Sequence, residues 1–145
     1  MQVDDEEFSV LQSQVICEIT GLRKYSNEVL ITLADSRQYR MHHRQSCCES
    51  VSIEDVCGEA ADVTDSPVIL AECVSSGVNP NPRPVCEDRD SEDYDWSRPE
   101  SERWTFYKLV TMKGAVTIRW YGKSNGWYSV AVSFERVVEE SEDEA

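Results

Sequence analysis

The sequence predicts a mainly β protein, with a β-rich α+β fold as the alternative. Residues 104–134 carry apolar side chains at alternating positions, interrupted by the dipeptides Lys113-Gly114 and Asn125-Gly126. Alternation is typical of strands, and glycine in such pairs is typical of hairpin turns. Residues 14–20 alternate in the same way, and residues 28–34 form a β-branched run. We therefore expect six to eight mainly antiparallel strands in a curled sheet or small barrel, with one or two short helices.

The first turn of residues 104–134 sets the pairing of two long strands. A two-residue loop at Lys113-Gly114 places Leu109 opposite Ile118 and Lys108 opposite Arg119. Because successive side chains point to opposite faces of a strand, the two cations are expected on the face opposite the apolar one. Two like charges directly across a sheet need solvent, an acidic neighbour or an anionic ligand.

The second turn is expected to add a third strand to this sheet. A three-residue loop at residues 124–126, with Gly126 in the left-handed conformation, keeps the apolar side chains on one face. It pairs Trp120 with Val130 and Ile118 with Val132.

The first half of the chain predicts further strands. Asp35-Ser36 is a turn that joins residues 28–34 to residues 37–44, with Tyr39, Met41 and His43 on a buried face. The other predicted elements are a strand at 49–55, a short helical or turn segment at 56–62, and a strand or helix at 68–74.

One domain is expected, since 145 residues is an ordinary domain length. The predicted domain covers residues 8–138, between acidic tails at 1–7 and 139–145. Residues 75–102 combine a proline-rich stretch with a dense acidic run, which predicts a long surface loop or insertion.

The net charge of -14 is unevenly distributed along the chain. Residues 103–138 hold six basic residues and one acidic residue, so this region is locally basic within an acidic chain. An acidic protein is a poor general DNA binder because it does not neutralise phosphates. A basic partner surface, or a small anion held at one local site, remains compatible with this distribution.

The composition predicts an intracellular protein with mostly reduced thiols. No apolar run approaches the length of a membrane span, and the acidic N-terminal residues do not match a signal peptide. The chain is too long and its hydrophobic content too ordinary for a miniprotein held together by disulfides. The six cysteines are Cys17, Cys47, Cys48, Cys57, Cys73 and Cys86.

The densest cluster of reactive side chains comprises His42, His43, Cys47, Cys48 and Glu49. A metal site is one interpretation, although the spacing differs from the separated ligand pairs of structural zinc. A cysteine nucleophile with a histidine base is another. In the third interpretation, one histidine and one cysteine lie in the core and the others lie on the surface.

A second candidate site consists of Lys108, Arg119, Tyr121 and Asn125. A lysine with an arginine can bind phosphate or carboxylate groups, and an aromatic ring can stack on a base. An asparagine in a turn can form hydrogen bonds with the polar edge of a ligand. The alternatives are a basic sheet face covered by the chain's own acidic loop, and an interface.

The familiar catalytic motifs are missing from the sequence. The glycines at 114, 122 and 126 do not form a phosphate-binding loop, and neither a serine-hydrolase elbow nor a paired-histidine zinc motif occurs. The sequence therefore predicts no cofactor and favours a protein that is not an enzyme.

Two stretches carry a resemblance to a known group. MHHRQSCCESVSIEDVCG at 41–58 and WTFYKLVTMKGAVTIRWYGKSNGWYS at 104–129, with SPVILAE at 66–72 between them, resemble small uncharacterised bacteriophage and prophage proteins that carry a single domain of unknown function. Residues 79–102 depart from that pattern because they are longer and more charged. The resemblance implies a phage origin and action in the cytoplasm of a bacterial host, in an accessory or host-interaction role.

The leading functional hypothesis is a non-enzymatic phage accessory protein that inhibits a host factor or defence component by binding a basic surface. Binding or sequestration of a nucleotide or another small anion is the alternative, followed by a Cys/His enzyme.

Overall fold

The computed structural model describes residues 2–5, 7–45, 48–77, 80, 88–92, 101–126 and 129–138. Within these ranges the chain forms nine strands and two short 3-10 helices. The strands are β1 (Gln2–Asp5), β2 (Ile16–Thr20), β3 (Glu28–Leu33), β4 (Gln38–His42), β5 (Ser50–Cys57), β6 (Leu70–Ser76), β7 (Ser101–Thr111), β8 (Gly114–Ser124) and β9 (Ser133–Val138). The 3-10 helices are Phe8–Leu11 and Ala60–Asp62.

The strands form two antiparallel sheets, which confirms the mainly β class. The first sheet has the order β1-β9-β4-β3-β2 and the second the order β5-β8-β7-β6. In the described part of the chain, both sheets are open and neither closes into a barrel. Their inner faces contribute to one buried apolar cluster, which includes Tyr39 and Met41 from the first sheet and Leu109 and Trp120 from the second. The indole N–H of Trp120 donates to Met41 Sδ at 3.1 Å and thereby connects the sheets through the core.

The hairpin of β3 and β4 follows the sequence pattern. Ile31 lies opposite Tyr39, and both are buried. The predicted turn is confirmed, since Ser36 has φ 78° and the Arg37 N–H donates to Asp35 Oδ1 at 3.1 Å. A short polar side chain that accepts a local backbone hydrogen bond stabilises such a turn.

The predicted register of β7 and β8 is wrong by two residues. Leu109 pairs with Val116, and Lys108 pairs with Thr117 rather than with Arg119. The turn is Met112-Lys113, and Gly114 is a strand residue opposite Thr111. A Cβ on Gly114 would lie 3.1 Å from Asp62 Cβ, so this glycine permits the close approach of the second 3-10 helix. A shift of two residues leaves each side chain on its predicted face.

The predicted third strand beside β8 is also wrong. The free edge of β8 is taken by β5, and the chain after β8 leaves for the first sheet, where β9 pairs with β1 and β4. Val130 crosses over Gly122 so closely that a Cβ on that glycine would lie 2.7 Å from Val130 Cβ. Gly126 has φ 91°, which confirms the predicted left-handed glycine.

The other expectations differ in detail. The strand expected at 49–55 continues to Cys57, and the expected helical segment shortens to Ala60–Asp62. The segment expected at 68–74 as a strand or helix is the strand β6. Residues 2–5 of the predicted tail pair with β9. Most of the loop at 75–102, and the tail at 139–145, lie outside the described residues.

In the described part of the chain, no helix is long and apolar enough to cross a membrane.

Candidate functional site

The outer face of the second sheet carries three of the four residues of the predicted anion site. Lys108 lies opposite Thr117, Arg119 opposite Phe106 and Tyr121 opposite Trp104. Asn125 follows β8 in the turn and is exposed. The three strand residues therefore share a face, as predicted, although Lys108 and Arg119 are not direct neighbours.

Carboxylates of the chain itself contact two of these residues. Arg119 Nε lies 2.8 Å from Glu54 Oε1, an ion pair whose angle does not make it a hydrogen bond. The register of β5 shifts between Ile53 and Asp55, and such a bulge re-aims the intervening side chain. The Tyr121 hydroxyl donates to Glu102 Oε2 at 2.5 Å. The chain's own carboxylates thus neutralise part of the positive charge on this face.

The electrostatics of Tyr121 agree with this neutralisation. Burial raises the pKa of its hydroxyl, and the hydrogen bond and charge of Glu102 raise it further, with a smaller contribution from Glu54. Tyr121 therefore remains a neutral donor at physiological pH. A ligand anion at Tyr121 would have to compete with Glu102 for that donor.

The predicted His/Cys cluster is divided between two places. His42 lies on the outer face of the first sheet, where its Nε2 is 2.7 Å from Glu135 Oε2. His43 follows β4 and contacts Glu49 instead, with His43 Nε2 2.7 Å from Glu49 Oε2. Adjacent residues of an extended chain point in opposite directions, which accounts for the separation.

Glu135 forms the centre of a charged cluster that the sequence analysis missed. Phe134 faces the core, so Glu135 lies on the outer face of β9, yet its side chain is 0% exposed. Arg40 lies directly opposite it and approaches Oε2 to 3.4 Å, while Arg44 Nε donates to Oε1 at 2.9 Å. Together with His42, these side chains surround the carboxylate.

Two opposing effects set the charge of Glu135. Burial alone would raise its pKa, but the hydrogen bonds from His42 and Arg44, the charge of His42 and the Arg40 contact together hold the pKa below its usual value. Glu135 is therefore ionised at neutral pH. Because β4 and β9 are distant in sequence, their pairing could not be predicted. The one available signal was that Glu135 is the single acidic residue of the basic region 103–138.

His43 connects three segments at one end of the two sheets. Its Nδ1 lies 2.7 Å from the Ala131 carbonyl, and its Nε2 contacts Glu49, whose side chain is fully buried. A carbonyl only accepts, so the Nδ1–H donates to Ala131, while Nε2 is held against the Glu49 carboxyl group. Both ring nitrogens are thus occupied, which leaves neither available as a base for a thiol.

The cysteines of the cluster also offer little reactivity in the described residues. Cys48 is disulfide-bonded, whereas Cys17, Cys57 and Cys73 are free thiols. Three of the four described cysteines are therefore reduced, as expected of mostly reduced thiols, and Cys48 is the exception. Cys47 lies outside the described residues. Among the residues with described positions, no group of three or more His, Cys, Asp or Glu side chains could hold a metal ion.

A cavity of about 460 Å³ opens between the first 3-10 helix and β6. Phe8, Tyr107 and Phe134 provide aromatic surface, and Tyr107 donates from its hydroxyl to the Val132 carbonyl at 3.5 Å. Glu7, Glu72 and Cys73 also line the cavity. Partial burial raises the pKa of the Cys73 thiol, which the nearby Tyr107 hydroxyl offsets only in part, so the thiol is protonated at neutral pH. Because these residues come from four separate segments, alternation along the sequence could not reveal the cavity.

Comparison with known proteins identifies a family whose function is unknown. The sequence profile of DUF7448, a domain of unknown function, matches residues 10–134. The chain belongs to the DUF7448 family. The matched region spans β2 to β8, and therefore includes the whole second sheet, His43, Glu49 and Tyr107. No curated protein and no solved structure matches the chain.

Proposed function

We propose that this member of the DUF7448 family is a non-enzymatic binding protein that docks its acidic surface on a basic partner protein. The observation that carries the proposal is the internal pairing of three arginines within a chain of net charge -14. Arg119 is paired with Glu54, and Arg40 and Arg44 are paired with Glu135. These three arginines already have partners within the chain, while carboxylates such as Glu18, Glu59 and Glu72 are exposed in its described part.

The occupied ring nitrogens of His43 support binding rather than catalysis. A general base needs a ring nitrogen with a free lone pair within reach of its substrate. His43 uses both nitrogens, for Ala131 and Glu49, and so offers no free lone pair. We therefore rank a Cys/His enzyme below a binding function.

The resemblance to phage proteins supports a bacterial partner. We propose that the partner is a host factor or defence component, and that binding blocks it in the host cytoplasm. Residues 79–102 hold eight acidic and three basic residues, and they supply much of the charge offered to this partner.

The salt dependence of partner binding tests the proposal. The tagged chain is used to capture its partner from the bacterial host, and the Kd of the purified pair is measured by calorimetry. Because salt screens exposed charges, we expect Kd to rise at least about tenfold between roughly 50 and 500 mM salt.

The matched variant replaces the acidic residues of 79–102 with their amides and keeps the length. It should bind more weakly at low salt and show a shallower salt dependence, with an unchanged melting temperature. Binding that resists both raised salt and deletion of residues 79–102 would contradict the proposed mechanism.

A small-anion site at Lys108, Arg119 and Tyr121 is the second candidate, because these residues share one face. It requires the anion to displace Glu54 and Glu102 from their contacts. Calorimetric titration with ATP decides it, since Arg119→Ala should abolish the heat that the wild-type chain produces. Equal titrations of the two proteins would exclude this site.

A further inference from the structure

In the part of the chain that the structure describes, β6 leaves one edge of the second sheet open. Among the described strands it pairs with β7 alone. Four consecutive residues, Glu72 to Ser75, are exposed, although their side chains point alternately to the two faces of the sheet. Exposure on both faces means that the first sheet does not cover this part of β6.

The outward backbone groups of β6 are placed to accept another strand. Gln12 Oε1 accepts a hydrogen bond from the Ala71 N–H at 3.2 Å, so this N–H points away from β7. Backbone groups alternate between the two edges of a strand, so those of Cys73 and Ser75 point the same way as those of Ala71. In the described part of the chain, no backbone hydrogen bond reaches these two residues on that edge. An unpaired edge of this kind is a template for strand addition.

The cavity lies beside this edge, on the inner side of β6. Ala71 and Cys73 line it from the strand, and Phe8, Tyr107 and Phe134 provide the aromatic surface. A strand added to β6 would direct alternate side chains to this side of the sheet. The cavity volume of about 460 Å³ is large enough for one long side chain.

The charge of the cavity indicates which kind of partner side chain it would bind. Among its described lining residues Glu7 is acidic and none is basic, whereas the Glu72 side chain lies on the outer face of the sheet, opposite Lys108. Lysine and arginine combine an aliphatic stem, which packs on apolar surface, with a cationic head that aromatic faces and carboxylates attract. A basic side chain therefore matches the cavity better than an acidic or a short apolar one.

We infer that β6 and the adjoining cavity form the docking site for an extended segment of the partner protein, which adds as a strand beside β6 and inserts one lysine or arginine into the cavity. This inference rests on the proposed binding function and specifies its contact. Main-chain hydrogen bonds supply affinity in such complexes, and the pocket supplies specificity. Val74, which is 56% exposed on the other face of β6, offers apolar contact to the next side chain of the added strand.

A synthetic peptide tests the docking site on the full chain. The probe is an acetylated and amidated pentapeptide of alternating threonine and valine with a central lysine, titrated by NMR. We expect the amide signals of Cys73 and Ser75 to shift. A matched probe with a central glutamate should bind at least about tenfold more weakly, since its carboxylate meets that of Glu7 instead of a countercharge. Equal binding of the two probes would overturn the basic specificity.

Two substitutions at one position test strand addition. Ser75→Pro removes the outward N–H, whereas Ser75→Ala keeps it, and both lose the contact between Ser75 Oγ and Thr105 Oγ1. Proline is tolerated on an edge strand where its nitrogen faces solvent. We expect Ser75→Ala to bind the lysine probe within about twofold of wild type and Ser75→Pro to bind at least about tenfold more weakly. Binding that Ser75→Pro leaves unchanged would overturn the inference.

A modified probe gives the same test without altering the protein. N-methylation of the probe on the edge that faces β6 should abolish binding to the wild-type chain, and N-methylation on the opposite edge should not. This comparison decides the question if Ser75→Pro fails to fold. A dimer in sedimentation that Ser75→Pro dissociates would assign the edge to a second copy of the chain and would also overturn the inference.

The captured partner separates this inference from the proposed function. Salt-sensitive binding of the partner that persists in Ser75→Pro would leave the proposed function standing and reject the β6 site. Absence of any salt-sensitive partner would reject the proposed function itself. Loss of the partner in Ser75→Pro, with retention in Ser75→Ala, is the result expected if both are correct.

Discussion

Glu135 shows how a single residue can be buried on the outer face of a sheet. A carboxylate removed from water is destabilising unless cations and donors replace its hydration. Arg40, His42 and Arg44 provide that replacement from β4 and the residues after it. The cluster therefore joins β4 to β9 on the face that has no apolar core.

Glu135→Gln should destabilise the fold by about 2 kcal/mol at neutral pH, because it leaves the guanidinium groups of Arg40 and Arg44 facing a neutral amide. This value is below that of a fully buried pair, since the Arg44 side chain is 62% exposed. Urea denaturation gives the free energy of unfolding of both proteins. Glu28→Gln is the control, because Glu28 only contacts Arg40 at 3.7 Å on the exposed surface and should contribute less than about 0.5 kcal/mol.

The same substitution predicts a pH dependence. The pKa of Glu135 is lower in the folded chain than its usual value of 4.5, so its stabilising effect is complete above that value and is lost as the pH falls through the folded pKa. The stability difference between wild type and Glu135→Gln should therefore shrink when denaturation is repeated at about pH 3. A difference that stays constant from neutral pH to this value would contradict the assignment.

Among the elements, the passage from β8 to β9 departs most from the sequence prediction. Alternation identified the apolar face of residues 104–134, because burial on one side fixes which side chains point inward. It could not reveal which strand lies beside β8, since Val130 and Val132 would fit a neighbouring strand and a crossing segment equally well. The partner of His43 escaped prediction for the same reason, as Ala131 and Glu49 reach it only through that crossing.

The crossing makes Gly122 sensitive to substitution. Gly122→Ala would place a methyl group 2.7 Å from Val130 Cβ and 2.9 Å from the Val130 carbonyl oxygen. Since backbone must move to relieve this overlap, we expect a loss of about 2 kcal/mol in denaturant unfolding. Gly77→Ala is the matched control, because its Cβ would meet only the Glu102 carbonyl oxygen at 3.8 Å, an ordinary contact. Equal stabilities of the two variants would show that the crossing does not lie tightly on Gly122.

At the scale of the whole molecule, two sheets share one core and differ in how their outer faces are charged. The core was largely predictable, because apolar residues alternate in β3, β4, β7 and β8. The assignment of strands to two sheets was not, because it depends on contacts between residues far apart in sequence. The hydrogen bond from Trp120 to Met41 is one such contact, and neither residue signals it by spacing.

Met41→Leu tests this link between the sheets. Leucine fills a similar volume but accepts no hydrogen bond, so the buried indole N–H of Trp120 would lose its partner at a cost of about 1 to 2 kcal/mol. Thermal unfolding followed by tryptophan fluorescence measures the change. The same substitution at Met112, which is 85% exposed, should leave the melting temperature unchanged. An unaltered melting temperature for Met41→Leu would mean that the sulfur acceptor adds nothing to stability.

The position of β9 between β1 and β4 has a consequence for synthesis of the chain. A ribosome releases β1 and β4 long before β9, which starts at Ser133. At roughly 5–20 residues per second, the edge of β4 waits several seconds for its neighbour. During that time it exposes unpaired backbone to other nascent chains. The first sheet can therefore be completed only after translation has reached the final strand, and premature termination before β9 would leave both β1 and β4 without their shared partner.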